Sequence, residues 1–465
     1  MEERVELANK RVLVVGLGRS GIAAAKLCAA RGARVTVTDK RDERAFGTAL
    51  DALPVDITRE LGGHRLATFT GAELIVLSPG IPEIAELVAA RAAGVTVTGE
   101  MELASRFVSS TLIAITGTNG KSTTTTLVGD IMRATGRPTF VGGNLGDPLA
   151  DAVGTPAAGS GGVCVVEASS FQLETVATFR PHVAVMLNVT ADHLDRYADM
   201  NGYAAAKARI FAAQTGGDYA VINRDDPLAV AASDGIAARR IGFSVARAVD
   251  QAGSISGWVA GDGLALQLPG AGAVERYPGN LPALVGRHNQ ANALAALLAG
   301  RLAGATAAEA EAGLRAFRAL AHRMELVADT GGVAYYDDSK GTNVGAVVAA
   351  LEGFPRPVVL IAGGRDKGGD YAPLAAALGR VGRAVVVIGE AADKIAGALT
   401  GVLPVERAAT MDDAVAAASR AAQPGDAVVL SPACSSFDMF RDYAHRAEVF
   451  RAAVARIAAA QEPAS

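Results

Sequence analysis

The chain has 465 residues, half of them hydrophobic, with 53 glycines and a formal net charge of −4. That length exceeds one ordinary core and implies about three domains; the composition excludes a disordered chain, and the small negative charge gives no basic field for nucleic acid or an acidic membrane. Cys28, Cys164 and Cys434 stand far apart without disulfide or metal spacing, and the charged N-terminus runs into a strand with neither a signal-peptide pattern nor an apolar span, so a cytoplasmic protein with small-molecule partners is expected.

In the first block, Arg11–Val15, Val35–Thr38 and Leu74–Leu77 are short Val/Ile/Leu runs between Ala-rich stretches, the pattern of buried parallel strands with crossover helices. This predicts a Rossmann-like domain over residues 1–107. Directly after the strand VLVV, Gly16, Gly18 and Gly21 form G-x-G-x-x-G, and Asp39 ends the next strand. Taken alone, that arrangement points to an NAD-dependent oxidoreductase. A UDP-sugar also presents a diphosphate and a ribose, so the same turn suits it, with Gly18 and Ser20 at phosphate and Asp39, Lys40 and Arg41 around the nucleoside. Ser78 and Gly80, in SPGI after LIVL, either face the same crevice or make a plain Pro-Gly turn.

A second α/β block, residues 108–319, opens at TLIAITG and continues through VCVVEAS, VAVMLN and YAVINRDD to the helical stretch NQANALAALLAG. Within it, SISGWVAGDGLALQLPG alternates around Asp262-Gly263 and predicts a hairpin carrying Trp258 in a packing role. The sharpest local feature is ITGTNGKSTTT. Gly117, Thr118, Asn119 and Gly120 form a turn between strand and helix, followed by Lys121, Ser122 and Thr123. Such a turn aims backbone N–H groups and a helix N-terminus at phosphate, the lysine neutralises terminal phosphates, and a hydroxyl can join a magnesium shell. The spacing is shorter than G-x-x-x-x-G-K-[ST], since Ile115 stands where the first glycine would be. The third block, residues 320–465, repeats the pattern in VAYYDDS, PVVLIAGG, AVVVIG and DAVVLSP, and predicts a second Rossmann-like domain. The whole is a three-domain α/β chain whose middle domain is a P-loop ATPase-like parallel sheet.

The shorter loop TGTNGKST resembles the ATP site shared by Mur ligases and folylpolyglutamate synthases. Together with GLGRSG, SPGI, GGNLG, VEASSFQLE, NVTADHLDRY, AHRME, DDSKGTN, AGGRDKGGD and LSPACSSFDMF, it places the resemblance over essentially the whole chain and nearest to the D-glutamate-adding members of the Mur ligase family. Another Mur ligase is the alternative, as is a folylpolyglutamate synthase-like enzyme, although those lack the N-terminal UDP-type domain. An oxidoreductase has no use for a lysine phosphate loop, and a non-catalytic nucleotide sensor has no need to keep Lys121, Glu167 and His193 together.

The resemblance implies ATP-dependent phosphorylation of a substrate carboxylate followed by attack of an amine, with UDP-N-acetylmuramoyl-L-alanine, D-glutamate and ATP as partners, magnesium as cofactor and a monomeric state. It implies magnesium ligation by Ser122, Glu167 and His193, although a lone strand-end Glu is more often solvated and a lone His more often structural. It implies contact of Asn144 with the muramoyl-alanine substrate, of Asn289 and Asn292 with adenine, and of Arg323, Asp338 and Lys340 with ATP. Thr342, Lys367, Ser436, Phe437 and Tyr443 match the D-glutamate site; a dicarboxylic ligand needs cations and donors of that kind. Lys340 and Lys367 could instead be surface lysines. Lys207, in YAAAKARIF, reads from its own spacing as a solvated helix lysine, whereas the resemblance implies a carbamylated lysine on magnesium.

Overall fold

The computed structural model describes residues 6–461 apart from 195, 248–254, 271–272, 280, 282–283, 285 and 353. Asp195 of the DHLDRY stretch and Ser254 at the head of the hairpin segment therefore lie outside the described residues. Among the described residues no helix is long and apolar enough to cross a membrane.

The first block folds as its apolar runs predict. Strands β1 (Arg11–Val15), β2 (Arg34–Asp39), β3 (Thr58–Leu61), β4 (Leu74–Leu77) and β5 (Thr96–Gly99) make a parallel sheet in the order β3-β2-β1-β4-β5. The order runs outward in both directions from β1, so a crevice opens at the carboxyl ends of β1 and β4, where open α/β sheets bind ligands.

The second sheet contains β6 (Thr111–Thr116), β7 (Thr139–Gly143), β8 (Val163–Glu167), β9 (Val183–Met186), β10 (Tyr219–Asn223), β11 (Arg239–Ser244), β12 (Gly257–Ala260), β13 (Gly263–Leu266) and β14 (Glu275–Pro278). Its order is β14-β13-β12-β11-β10-β9-β6-β8-β7. It is parallel from β7 to β12 and ends in the antiparallel β12-β13-β14 meander. The expected hairpin is there, but its turn falls one residue earlier, on Gly261-Asp262, because Gly261 takes φ 65° and Gly263 already pairs with Ala260.

The third sheet, β15 (Glu325–Thr330), β16 (Val333–Asp337), β17 (Val358–Gly363), β18 (Gly382–Ile388), β19 (Val405–Arg407) and β20 (Ala427–Leu430), has the order β15-β16-β20-β17-β18-β19 with only β15 antiparallel. Its strands read as continuous apolar runs because both faces are covered. Val358, Leu360, Val385 and Val387 pack with Leu374, Leu378 and Ile395, while Val359, Ile361, Val386 and Ile388 pack with Val415, Phe450 and Val454.

The chain packs as two compact units: Met1–Asn188, Tyr203–Pro282 and Asn289–Phe317, holding the first two sheets, and Val189–Gly202, Ala283–His288 and Arg318–Ser465, holding the third. The helix Glu100–Ser105 explains why two sheets share a unit. Glu102 accepts the N–H groups of Ala177, Thr178 and Phe179, and Glu100 accepts that of Ala150 at 2.7 Å. Burial pushes the Glu100 carboxyl up to about 7.

Candidate active site

The central loop is built by its glycines. Gly120 caps the helix Lys121–Ala134 at φ 84°, and a Cβ there would stand 2.2 Å from Asn292 Oδ1. No other residue fits that place without displacing Asn292. Asn292 in turn accepts from Thr124 Oγ1 at 3.3 Å and donates to Asn289 Oδ1 at 3.2 Å, so the two asparagines sit on the flank of the loop. Lys121 folds back, its ammonium donating to the carbonyls of Gly117 at 3.0 Å and Thr118 at 2.8 Å. Ser122 and Thr123 are buried in the first helical turn.

Sheet register brings Glu167 to this loop. It pairs with Ile115 at the carboxyl end of β6, and Thr116 Oγ1 donates to the Ala168 carbonyl at 2.8 Å. The Glu167 side chain is buried and fixed by Asn144, whose Nδ2 donates to Oε1 at 2.7 Å while its backbone N–H donates to the Glu167 carbonyl at 2.9 Å. Lys207 is not on a solvated face. It is 1% exposed, its ammonium donates to the Gly117 carbonyl at 2.8 Å, and it lies 4.3 Å from the centre of the Tyr203 ring. It lies four positions after buried Tyr203, which puts both on the inward stripe of the helix Met200–Ala208.

The N-terminal loop uses its polar residues differently. Gly21 must be glycine because a Cβ would lie 1.9 Å from the Gly16 carbonyl oxygen, and Ser78 Oγ donates to that same oxygen at 2.7 Å. Asp39 accepts from the Leu17 N–H at 2.8 Å and from the Arg41 N–H and guanidinium at 2.8–3.0 Å. Burial would raise the Asp39 carboxyl, but these donors overcome it and hold it down at about 2. Gly18, by contrast, has open space around the position of a Cβ. Gly18, Ser20 and Ser78 line one cleft of about 240 Å³ together with Asn144 and Gln172. Asp39, Lys40 and Arg41 do not line it; Lys40 and Arg41 are exposed, with Arg41 stacked 4.4 Å over the Phe46 ring.

Within the second unit, Thr342 and Lys367 line a smaller cleft with Asp192, Asn343 and Tyr371. Asp338 is buried and accepts from Ser431 Oγ at 2.5 Å; burial pushes its carboxyl up to about 7, against the pull of that bond and of nearby Arg323. The Lys340 ammonium lies 5.4 Å from the centre of the Tyr443 ring. Ser436 is buried, whereas Phe437 and Tyr443 are exposed, and none of the three lines the smaller cleft. His193 adopts φ 55° directly after Asp192, whose Oδ1 accepts its N–H at 3.0 Å.

Three family models match in chain order: "Mur ligase MurD-like, N-terminal domain" over residues 10–99, "Mur ligase middle domain" over 115–300, and "Mur ligase, glutamate ligase domain" over 322–434. The UDP-N-acetylmuramoylalanine--D-glutamate ligase of Geotalea uraniireducens is 49% identical over 97% of this chain and 98% of its own length. That of Anaeromyxobacter dehalogenans is 50% identical over 96% and 97%. The chain belongs to the Mur ligase family. Solved structures share the fold at lower identity. The murein peptide ligase of Psychrobacter arcticus has a TM-score of 0.57 at 20% identity, covering 98% of this chain and all of the other. The MurF ligase of Thermotoga maritima has a TM-score of 0.58 at 16% identity, covering 97% of each chain.

Three residues of this Mur ligase escape a reading of its motifs. Asn188 braces the phosphate loop: its Oδ1 accepts the Asn119 N–H at 2.8 Å, its Nδ2 donates to the Asn119 carbonyl at 3.0 Å, and its own carbonyl accepts the Thr118 N–H at 2.9 Å. Arg446, fully buried, straps the DDSKGTN and SPACSS segments by donating to Ser339 and to the Cys434 carbonyl; burial lowers its guanidinium to about 10. Asp192 is the partner of Lys367 at 3.1 Å. Asn188 and Asp192 sit inside NVTADHLDRY, where a weighting of polar residues at the end of β9 would have drawn them out.

Proposed function

We propose that this Mur ligase adds D-glutamate to the carboxylate of UDP-N-acetylmuramoyl-L-alanine at the expense of ATP, through an acyl phosphate, in peptidoglycan precursor synthesis. The observation that carries the reading is a juxtaposition within one unit. A cleft lined by Gly18, Ser20, Ser78 and Asn144 is joined, through the Asn144–Glu167 hydrogen bond, to the carboxyl end of the strand beside the lysine phosphate loop. A substrate anchored by its diphosphate at the first loop would extend its carboxylate past Asn144 toward the second.

In this reading the backbone of Gly117–Thr123 and the Lys121 ammonium hold and neutralise the ATP phosphates, since phosphoryl transfer depends on positioning and charge stabilisation. Asn289 and Asn292 hold the adenine side, and Arg323, Asp338 and Lys340 close on phosphate and ribose. Asp39, Lys40 and Arg41 stand around the nucleoside of the UDP substrate, Asp39 through the Leu17 and Arg41 bonds that hold the loop rather than by contact. Thr342, Lys367, Ser436, Phe437 and Tyr443 receive D-glutamate. Buried oxygen donors at Ser122 and Glu167 suit magnesium, and His193 with a carbamylated Lys207 would complete its shell; bound there, magnesium supplies positive charge for the phosphate oxygens. In the carbamate the neutral Lys207 amine adds to carbon dioxide, forming an N–C bond and releasing one proton to solvent. Burial of Lys207 against the phosphate loop supports that role. Partial restoration of Lys207→Ala by acetate tests it, and near-full activity of Lys207→Ala without acetate would return Lys207 to a structural role.

We assign domains 1–107, 108–319 and 320–465 to the UDP substrate, ATP and the amino acid, and place the protein as a monomer in the cytoplasm, where its three buried free cysteines stay reduced. ADP release with UDP-N-acetylmuramoyl-L-alanine and a panel of amino acids tests the whole reading. Turnover with D-glutamate alone is expected; turnover with a different amino acid, or none with D-glutamate, overturns it.

A further inference from the structure

Lys367 and Asn343 line one cleft with Thr342 and Asp192, and all four belong to the second unit. Lysine is a poor positioning group on its own, because a four-carbon stem carries a compact charge with many rotamers. Here the ammonium has a fixed acceptor. Asp192 Oδ1 lies 3.1 Å from Lys367 Nζ, and the two side chains are 9% and 21% exposed.

Asp192 is itself held from two further directions. Its Oδ2 accepts Asn343 Nδ2 at 3.3 Å, and its Oδ1 accepts the His193 N–H at 3.0 Å. Asn343 is tied down separately: its Oδ1 caps the helix Val344–Leu351 by accepting the Ala346 N–H at 2.8 Å. The rigidity of a helix N-terminus is thus passed through Asn343 and Asp192 to Lys367. One ammonium hydrogen is spent on Asp192, and two remain for a ligand in the cleft.

We infer that Asp192 is a positioning residue for the incoming amino acid: its carboxylate orients the Lys367 ammonium toward a carboxylate of the substrate, with Asn343 as the anchor. The inference rests on the reading that this cleft receives D-glutamate. A carboxylate that merely filled the substrate's place would predict the opposite sign, since its removal would tighten binding.

The test is steady-state kinetics of the full chain with each substrate varied in turn. Asp192→Ala is expected to raise KM for D-glutamate about tenfold, the scale of one charge-assisted hydrogen bond, with KM for ATP and for UDP-N-acetylmuramoyl-L-alanine changed less than about twofold. Asp192→Asn should be impaired as well, because its Nδ2 faces the Nδ2 of Asn343. The exchanged pair Asp192→Asn with Asn343→Asp restores both the hydrogen-bond pattern and the net charge, and should recover most of the loss; it also reads the role if the alanine variant does not fold. An unchanged or lowered KM for D-glutamate in Asp192→Ala, a parallel rise in all three KM values, or no recovery in the exchanged pair overturns the inference. Lys367→Ala separates the two levels. If that variant leaves KM for D-glutamate unchanged, the assignment of the cleft to the amino acid fails, whatever Asp192 does.

Discussion

The first two sheets each end a strand in a glycine turn that leads into a helix, yet the two turns divide the work of anion binding differently. At the N-terminal turn two of the polar residues that look like ligand contacts are directed at the protein's own backbone: Ser78 holds the Gly16 carbonyl and Asp39 holds the Leu17 N–H. Gly18, with open space beside it, lines the cleft together with Arg19, Ser20 and Ser78. The central turn instead holds its cation against its own backbone, with Lys121 folded over the loop, buried hydroxyls behind it and Glu167 one strand away. In the proposed function the first turn holds a diphosphate that does not react, and the second stabilises charge on phosphate that does.

This contrast predicts the largest effect at Lys121. Lys121→Ala should lower kcat by roughly 10²–10³, as loss of one group stabilising transition-state charge does, while the protein stays folded and UDP-N-acetylmuramoyl-L-alanine still binds; near-normal turnover would remove the central turn from the chemistry. Next comes its brace. Asn188→Ala removes both side-chain bonds to the Asn119 peptide and should raise KM for ATP about tenfold, with the UDP-substrate KM unchanged; equal movement of both would mean that Asn188 supports the unit generally.

A smaller effect is expected at Gly18. A Cβ there meets nothing within 4 Å and φ is −78°, so Gly18→Ala should leave the melting temperature unchanged and weaken the UDP substrate severalfold by narrowing the cleft mouth. A fall in Tm without a change in that KM would show the glycine to be structural. The smallest concerns acid. Because the folded Asp39 carboxyl is held at about 2, below its unfolded value, its contribution to stability is complete above the unfolded pKa and is lost as pH falls through about 2. Asp39→Asn should therefore be less stable than the parent at neutral pH and should converge on it in acid denaturation curves toward pH 2; parallel curves would mean that the Arg41 and Leu17 bonds contribute nothing to folding.

Strands were legible in the sequence because buried parallel strands are apolar on both faces, as Val358–Gly363 and Val163–Glu167 are. The glycines of both turns were legible because sterics leave no alternative at Gly21 and Gly120. Lys207 was not, since an Ala-rich helix has no polar face to contrast with and only its spacing from Tyr203 marks the inward side. Asn188, Asp192 and Arg446 were hidden for a different reason: each acts on a partner far away in sequence, 175 residues in the case of Asp192 and Lys367. The path of Val189–Gly202, which packs with the third sheet rather than with the unit on either side of it in sequence, has no local mark at all.

The most direct measurement of the division of labour between the two turns is calorimetric titration of the unmodified protein and of Lys121→Ala with UDP-N-acetylmuramoyl-L-alanine, with a non-hydrolysable ATP analogue and with NAD. Binding of the UDP substrate to both proteins, of the ATP analogue to the parent far more tightly than to the variant, and of NAD to neither is the predicted result; tight NAD binding, or loss of the UDP substrate together with the ATP analogue in Lys121→Ala, would contradict it.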